Sequence, residues 1–409
     1  MNRVVVTGMG GLSPIGHDWA TVSAALRAGK SGIVRMAPWD AIEGLQTRLA
    51  APIADFTAPA SYPRKKVRTM GRVALLAVRA TELALADAGL LDHPVLTDGG
   101  TGVAYGSTSG SPPAMEIYAR SFLASTIRGI AGSDYVQFMS HTCAANVALF
   151  FGLRGRVVPT CSACTSGSQG IGYAYEAIRY GRQRVMVAGG AEELHPIDAA
   201  VFDILYAAST RNDDPGRSPR PFDADRDGLV VGEGAATLVL EELEHARARG
   251  ARIHAEIVGF GTNSDGRHIT NPDCEGMQRV MELALADASL DPAAVGYVNA
   301  HGTATRVGDV AESEATYKVF GTHVPVSTLK GALGHTLGAC GALEAWITIA
   351  MLNEGWVAPT LNLDRVDEAC APLDYVRGAC RELRAEFAVS NNFAFGGVNT
   401  SLVLRPWPA

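Results

Sequence analysis

The stretch Pro159-Thr-Cys-Ser-Ala-Cys164-Thr-Ser-Gly-Ser-Gln-Gly-Ile-Gly172 sets a cysteine among small residues just ahead of a helical pattern. Ile171, Ala174, Ala177 and Ile178 recur at helix spacing. Gly155 to Val158 read as the end of a short strand, so Cys164 falls where a strand turns into a helix. Unpaired N–H groups at a helix start carry partial positive charge. Such a setting takes a thiol from about 8.5 down to about 3.5–7.5 and gives a nucleophilic thiolate. Small neighbours leave a substrate room to reach the sulfur. Read alone, the commoner fate of such a cysteine is a buried core residue, so the assignment depends on partners elsewhere in the chain.

The second half supplies them. Gly296-Tyr-Val-Asn-Ala-His301-Gly-Thr-Ala-Thr305 puts a histidine just past a buried strand, a loop position typical of catalytic groups. Ser327-Thr-Leu-Lys330-Gly-Ala-Leu-Gly-His335 puts a second one at another strand-to-helix turn, and the helix read from His335 to Glu354 carries Glu344 about two and a half turns on. An isolated histidine in a loop is usually a satisfied polar group; two after strands, both in small-residue turns, favour chemistry. Asn391-Asn-Phe-Ala-Phe-Gly-Gly-Val-Asn399 adds glycines that let the backbone approach a ligand. Phe393 and Phe395 read either as a hydrophobic gate or as core aromatics at strand spacing.

Around these motifs, strands alternate with helices. Residues 2–7, 102–104, 183–188 and 235–240 read as strands of a first part, with helices at 18–28, 73–88 and 241–249. Gly106 to Pro112 reads as a flexible loop. A fresh beginning follows Arg252: strands at 252–263, 296–300, 325–328, 386–390 and 401–405, and helices at 276–288, 309–320 and 335–354. The order of elements is similar in the two parts, so two related α/β halves are expected, 1–250 with the cysteine and 251–409 with the histidines. No short-period repeat or low-complexity segment stands out. Alternating elements imply sheets covered by helices, with chemistry at strand C-terminal ends.

Composition bounds the class. The chain has 409 residues, 47% apolar and 19% charged, which is globular and long enough for two cores of about 150 residues. The formal charge of -7 argues against nucleic acid as the main partner. Seven cysteines, without framework spacing, suggest free thiols in a reducing cytosol. Met1 to Gly10 has too short an apolar run for a signal peptide, and no run approaches 18 apolar residues, so no membrane span and a cytoplasmic location are expected. Three metal or nucleotide patterns fail. Cys161-x-x-Cys164 lacks a second pair for zinc. In Asp223-Ala-Asp-Arg-Asp-Gly228 the glutamate of a calcium loop falls one place early, and Pro219 and Pro221 forbid the entering helix. Gly8-Met-Gly10 is followed by Ser13 and Pro14 where a dinucleotide fingerprint needs glycine.

Taken together, Ser-Ala-Cys164-Thr-Ser-Gly, Ala-His301-Gly-Thr-Ala-Thr, Lys330-Gly-Ala-Leu-Gly-His335 and Asn-Phe393-Ala-Phe395-Gly-Gly resemble the β-ketoacyl-acyl-carrier-protein synthases, condensing enzymes of the thiolase fold. The resemblance runs from Val4 to Leu402, and Gly106 to Pro112 and Gly189 to Leu194 look closer to the bacterial type I elongating branch than to type II. It implies a five-layered αβαβα fold. It also implies that Cys164 carries an acyl chain taken from a carrier-protein thioester, and that His301 and His335 hold the enolate formed when malonyl-carrier protein loses CO2. By the same resemblance, Cys164 and Phe395 N–H groups form an oxyanion hole, Lys330 and Glu344 are an ordering charged pair, Asp309 is a buried acid, and Thr303 and Thr305 contact the pantetheine arm. Acyl carrier protein is the implied partner, docking on Lys65 and Arg68 of Arg64-Lys-Lys-Val-Arg68. No metal or cofactor is implied, and a homodimer is the family's usual state. Leu329, Ala394, Val398 and Arg306 depart from the usual threonine, glycine, threonine and proline; the alanine is expected to stiffen the gating loop, and the set suggests a specialised member in a polyene or polyketide pathway. A thiolase acting on coenzyme A is opposed by the lack of any cysteine after Cys380. A catalytically inactive chain-length-factor subunit is opposed by Cys164 itself. These motifs do not set acyl length, pathway or the identity of the second subunit.

Overall fold

Two glycine pairs show how the strands carry their helices. A Cβ on Gly8 would stand 2.2 Å from Ala84 O, and one on Gly259 2.4 Å from Ala284 O. Each strand therefore lies against its helix with no room for a methyl group. The structure, a computed structural model, describes residues 1–407. Strand β1 (Val4–Leu12) and the helix α1 (Arg72–Asp87) form the first of these pairs. The second is β6 (Ala255–Ser264) with α5 (Cys274–Ala288). Their helix ends repeat: Glu82-Leu-Ala-Leu-Ala-Asp-Ala-Gly-Leu90 recurs as Glu282-Leu-Ala-Leu-Ala-Asp-Ala-Ser-Leu290. Gly89 (φ 66°) and Ser289 (φ 55°) both stop their helices in the left-handed region. This repeat, half a chain apart, is one that a search for short periods passes over.

The remaining main strands are β2 (Thr101–Gly106), β3 (Val157–Thr160), β4 (Val185–Glu192), β5 (Gly234–Glu242), β7 (Val295–Asn299), β8 (Pro325–Ser327), β9 (Asp374–Tyr375), β10 (Phe387–Ala394) and β11 (Val398–Pro406). Among the described residues these eleven strands run in the order β9-β8-β7-β10-β11-β6-β1-β5-β4-β2-β3. The run β3-β2-β4-β5-β1 has the same pattern as β8-β7-β10-β11-β6: two parallel pairings, then two antiparallel ones. Val4–Val6 of β1 pair with Ala255–Ile257 of β6 and join the two sets.

Five layers follow. Helices α1 and α2 (Thr142–Phe151) cover one outer face, and α5 and α6 (Arg306–Phe320) the other. Between the two sheets lie α3 (Ser166–Arg179) and α7 (Cys340–Asn353), which touch each other and strands of both sets. All residues of α7 from Cys340 to Leu352 are buried, as a helix apolar on every side must be. The central core joins Ile171, Ile178, Leu343 and Ile347 with Leu238, Leu240 and Leu402 from the sheets.

Several elements differ from the sequence reading. β4 runs on through Gly189 and Gly190 instead of ending before them, because neither has room for a side chain: a Cβ on Gly190 would lie 2.3 Å from Gly338 O and 2.9 Å from Gly167 Cα. Gly190→Ala is thus expected to push apart the segments that follow Cys164 and His335, lowering stability by about 1–3 kcal/mol. A urea midpoint shift at unchanged slope measures it, and a variant as stable as the parent refutes it. Helix α7 begins at Cys340, not at His335, which lies in an extended segment bridged to Val231. The stretch after β2 is held, with Thr108 N–H donating to Glu192 Oε2 at 3.0 Å and Ser107 and Ser111 buried. Helices at Pro112–Leu123, Gly132–Phe138 and α4 (Pro196–Ile204) were hidden by mixed polar and apolar faces, with Phe122, Leu123 and Ile204 among their exposed residues. No helix among the described residues is long and apolar enough to cross a membrane.

Candidate active site

Cys164 sits where the strand-to-helix reading places it. After β3 the chain passes through a 3₁₀ turn, Ala163–Thr165, directly into α3, with Ala163 at φ 49°. The other half builds a matching turn, Leu337–Ala339, before α7, with Leu337 at φ 47°. The two turns pack together. Non-glycine residues held at positive φ store strain of about 1–3 kcal/mol each and tend to gather at functional sites. They bring His335 Nε2 to 3.0 Å from Cys164 Sγ. His301, in the turn after β7, stands edge-on to His335 with ring centroids 5.1 Å apart. One sulfur and two imidazoles from opposite halves thus meet at one end of a cavity of about 440 Å³.

Hydrogen bonds fix which nitrogen carries each proton. Leu337 N–H donates to His335 Nδ1 at 3.2 Å, so in the neutral ring the proton is on Nε2 and points at the sulfur. His301 Nδ1 faces Lys330 Nζ at 3.2 Å and Asn392 Nδ2 at 3.5 Å, which again leaves Nε2 as the donor. Burial pushes both imidazoles well below the ordinary histidine range, and the Lys330 charge adds to it. Both rings are therefore neutral N–H donors. The sulfur and the two rings do lie close enough to hold a metal, their ligand atoms all within 4.8 Å of one another. A metal on both Nε2 atoms would move the protons to Nδ1, where Leu337 N–H and the Lys330 ammonium already point. The constellation is built to donate, not to ligate.

The thiol corrects the expectation of a helix-stabilised thiolate. Burial pushes Cys164 up to about 12, against the pull of the Lys330 charge and its own backbone N–H. Partial charges at a helix start do not match removal of the sulfur from water. This shift favours the neutral thiol in the substrate-free protein. Alkylation of Cys164 by iodoacetamide, followed by peptide mass, is expected to rise about tenfold per pH unit from neutrality to pH 10. A plateau near pH 8 would show an activated thiolate instead.

Lys330 and Glu344 form a buried ion pair, each side chain 2% exposed. Burial alone would lower the lysine, but the Glu344 carboxylate outweighs it and the ammonium persists. Asn392 Nδ2 donates to Glu344 Oε2 at 2.7 Å and completes the unit. Asp309 accepts from Phe222, Thr303 and Ala304 N–H at 2.6, 3.0 and 3.1 Å and faces Arg226 at 3.5 Å. Glu312 takes the His301 and Gly302 N–H groups at 2.6 and 2.7 Å. Neither Asn392 nor Glu312 was singled out in the sequence, though Glu312 lies three residues past Asp309 and one helical turn from it.

Thr303 and Thr305 line the cavity with their hydroxyls 3.0 Å apart. Phe393 and Phe395 differ in kind. Phe393 is a buried residue of β10, edge-on to His301 at 6.0 Å, and belongs to a core cluster. Phe395 sits in the turn before Gly396 and Gly397 and faces Phe202 of α4 at 5.4 Å. Ala394 ends β10 paired with Val398, outside the positive-φ residues, so the alanine fits there and the turn's freedom rests on the two glycines. Lys65 and Arg68 are exposed at a single helical turn, Arg64–Val67, and do not line the cavity. Lys66 beside them lies over the Phe150 ring at 5.0 Å.

The family model for the beta-ketoacyl synthase N-terminal domain matches residues 1–246, and that for the C-terminal domain residues 254–364. The 3-oxoacyl-[acyl-carrier-protein] synthase 2 of Vibrio harveyi is 41% identical, covering 98% of this chain and 98% of its own, and the 3-oxoacyl-[acyl-carrier-protein] synthase 1 of Escherichia coli (strain K12) is 39% identical, covering 99% of both. A solved beta-ketoacyl synthase from Burkholderia phymatum STM815 is 60% identical over all of both chains with a TM-score of 0.99. A structure described as a type II PKS acyl-carrier protein in complex with its ketosynthase bound to the hexaketide is 30% identical over all of both chains with a TM-score of 0.89.

Proposed function

The chain belongs to the β-ketoacyl synthase family, and on that premise we propose that it condenses malonyl-acyl-carrier protein with an acyl chain held on Cys164, releasing CO2 and giving 3-oxoacyl-acyl-carrier protein. It is an acyltransferase of the thiolase fold. The observation that carries the reading is the meeting of the Cys164 sulfur with two neutral imidazoles that can each present an Nε2–H at the end of a substrate-sized cavity.

The chemistry follows from those protons. Cys164 sulfur attacks the carbonyl carbon of an acyl thioester, and the departing pantetheine sulfur takes up the thiol proton. N–H groups of Cys164 and Phe395 receive the oxyanion. Malonyl thioester then enters, and its carboxylate carbon–carbon bond breaks to give CO2 and an enolate. The two Nε2–H groups meet the developing charge on the enolate oxygen, a role that neutral donors in a dry pocket fill without reorganisation. The enolate carbon attacks the acyl-cysteine, its carbon–sulfur bond breaks, and the sulfur, whose own proton left on the pantetheine thiol, takes one from solvent to reach the neutral form that burial favours. Lys330 and Glu344 hold His301 in its tautomer; Asp309 and Glu312 hold its loop; Thr303 and Thr305 guide the pantetheine arm, and Phe395 gates the entrance with Phe393 as a fixed wall. No step calls for a metal or nucleotide.

The partner in this reading is acyl carrier protein, met at Lys65 and Arg68, and the comparison with a carrier–ketosynthase complex supports it. A second copy is the other partner: β3 is an edge strand with Val157 exposed, near apolar residues such as Leu149 left open to solvent. A cytoplasmic place fits free cysteines and carrier-protein chemistry. The division into 1–250 and 251–409 is supported by the repeat ending each first helix. Incubation with acyl- and malonyl-carrier protein, with product read by mass, tests the reaction. Formation of 3-oxoacyl-carrier protein supports it, and its absence from a folded protein of twice 42.9 kDa in solution overturns it.

A further inference from the structure

Apart from the imidazoles, four charged residues line the cavity: Asp227, Asp265, Glu312 and Arg306. The three acids each have a partner, although Asp227 Oδ1 is buried without a hydrogen bond. Asp227 accepts from Thr210 N–H at 3.0 Å and faces Arg211 at 3.5 Å. Asp265 accepts from Asn399 Nδ2 at 2.6 Å. Glu312 is taken up by the His301 turn. Arg306 differs: among the described residues no carboxylate oxygen lies within 4.0 Å of its guanidinium. It is also the only Lys or Arg lining the cavity among those residues.

Its backbone is held in place. Arg226 Nη2 donates to Arg306 O at 2.8 Å and Arg226 Nε to Thr305 O at 3.3 Å. Arg306 therefore follows directly on Thr303 and Thr305, outward from His301, while its side chain is exposed. Across the cavity, His268 Nδ1 accepts from Thr270 and Asn271 N–H at 3.1 and 3.0 Å, which leaves Nε2–H as its free donor. The His268 loop is tied to the Phe395 turn, with Gly396 N–H donating to Ile269 O at 2.7 Å. Around these two donors the entrance is apolar: Tyr206 is 96%, Ile269 68% and Val307 59% exposed.

A ligand whose reacting end lies at Cys164 and whose middle passes the two threonines would reach Arg306 with its outer end. An exposed guanidinium with no carboxylate oxygen of the described residues within 4.0 Å, though Asp367 feels its charge, selects an anion there, and its planar fork suits a phosphate. We propose that Arg306, assisted by His268 Nε2–H, binds the phosphodiester at the outer end of the phosphopantetheine arm and sets a preference for phosphorylated over unphosphorylated thioester donors. This rests on the reading of the site as a condensing centre for carrier-borne thioesters. The proline usual at this position in the resembling family offers no such contact, so the anchor is a property of this chain. The same phosphate occurs in coenzyme A; the carrier arm is the assignment, because nothing else cationic lines the entrance to receive the further phosphates of coenzyme A.

The test compares malonyl-phosphopantetheine, malonyl-pantetheine, malonyl-coenzyme A and malonyl-carrier protein as donors to the acylated enzyme. Arg306→Ala is expected to reduce the kcat/KM ratio of phosphorylated to unphosphorylated arm about tenfold, through KM and more strongly at low salt. Arg306→Lys should recover part of it. A second reading needs no turnover: protection of Cys164 from iodoacetamide by phosphopantetheine should require about tenfold more ligand in Arg306→Ala, with no such shift for pantetheine. Equal losses with and without the phosphate overturn the proposal, as does a coenzyme A donor preferred to the carrier. Condensation without the protection shift sinks this inference alone. A protection shift without condensation supports the anchor and sinks the proposed reaction.

Discussion

Cys164→Ala is expected to abolish carbon–carbon bond formation while leaving the decarboxylation of malonyl-carrier protein measurable. The two half-reactions use different atoms. Condensation needs the sulfur as the place where the acyl chain waits, and removing a covalent nucleophile costs about 10⁴–10⁶ in rate. Loss of CO2 needs only a place for the enolate charge, and that is supplied by the Nε2–H groups of His301 and His335, whose tautomers are set by Lys330 and by Leu337 N–H, not by the cysteine. Alanine also frees His335 Nε2–H from the sulfur 3.0 Å away. Carbon dioxide release and 3-oxoacyl product, measured side by side, should therefore part company in this variant. His335→Ala should lower CO2 release by about 10²–10³, the usual worth of one such donor. Parallel loss of both reactions in Cys164→Ala would mean that the imidazoles do not act without the sulfur, and the division of labour drawn here would fail.

The parts of this site that were legible in the sequence share one property: their signal is local. Cys164 and His301 each follow a strand and sit among small residues in turns where their motifs place them; His335 also sits among small residues, but a helical turn, Lys330–Leu333, separates it from its strand and it lies in an extended segment ahead of the turn before α7. The pattern of strands followed by helices also gave the layered architecture. What was not legible depends on distance or depth. Burial of Cys164 is a property of two packed halves, so a helix-start argument left out the desolvation that pushes its thiol up. Asn392 reaches Glu344 and His301 from a strand far along the chain, and in the sequence it is one asparagine beside another. Gly189 and Gly190 read as a break after a strand, while their real constraint is the backbone pressed against them. Ala394 looked like a stiffened gate because it stands where the resembling family has a glycine between the two phenylalanines, but it closes a strand. The repeat ending at Leu90 and Leu290 was in plain view and needed a comparison of the chain with itself.

The second large effect concerns the buried pair beneath His301. Glu344→Gln leaves the Lys330 ammonium, 2% exposed, without its countercharge, and is expected to lower stability by about 3–5 kcal/mol. The pair as a whole need not stabilise the fold. Taking two charges out of water offsets most of their attraction, and apolar replacement of both is often neutral. Lys330→Met combined with Glu344→Leu should thus regain much of the loss, with a urea midpoint close to that of the parent. Activity should not return with it. Lys330 Nζ, 3.2 Å from His301 Nδ1, is what keeps that nitrogen an acceptor and the outer Nε2 a donor. Without the ammonium the ring can place its proton on Nδ1, and Nε2 then turns a lone pair towards the enolate oxygen. A wrong tautomer in a catalytic histidine has cost about 10⁴ elsewhere, and about 10²–10⁴ is expected here in CO2 release as well as condensation. Recovery of rate together with stability in the double variant would show that the charges serve the fold alone. Recovery of stability without rate places their purpose in the proton of His301.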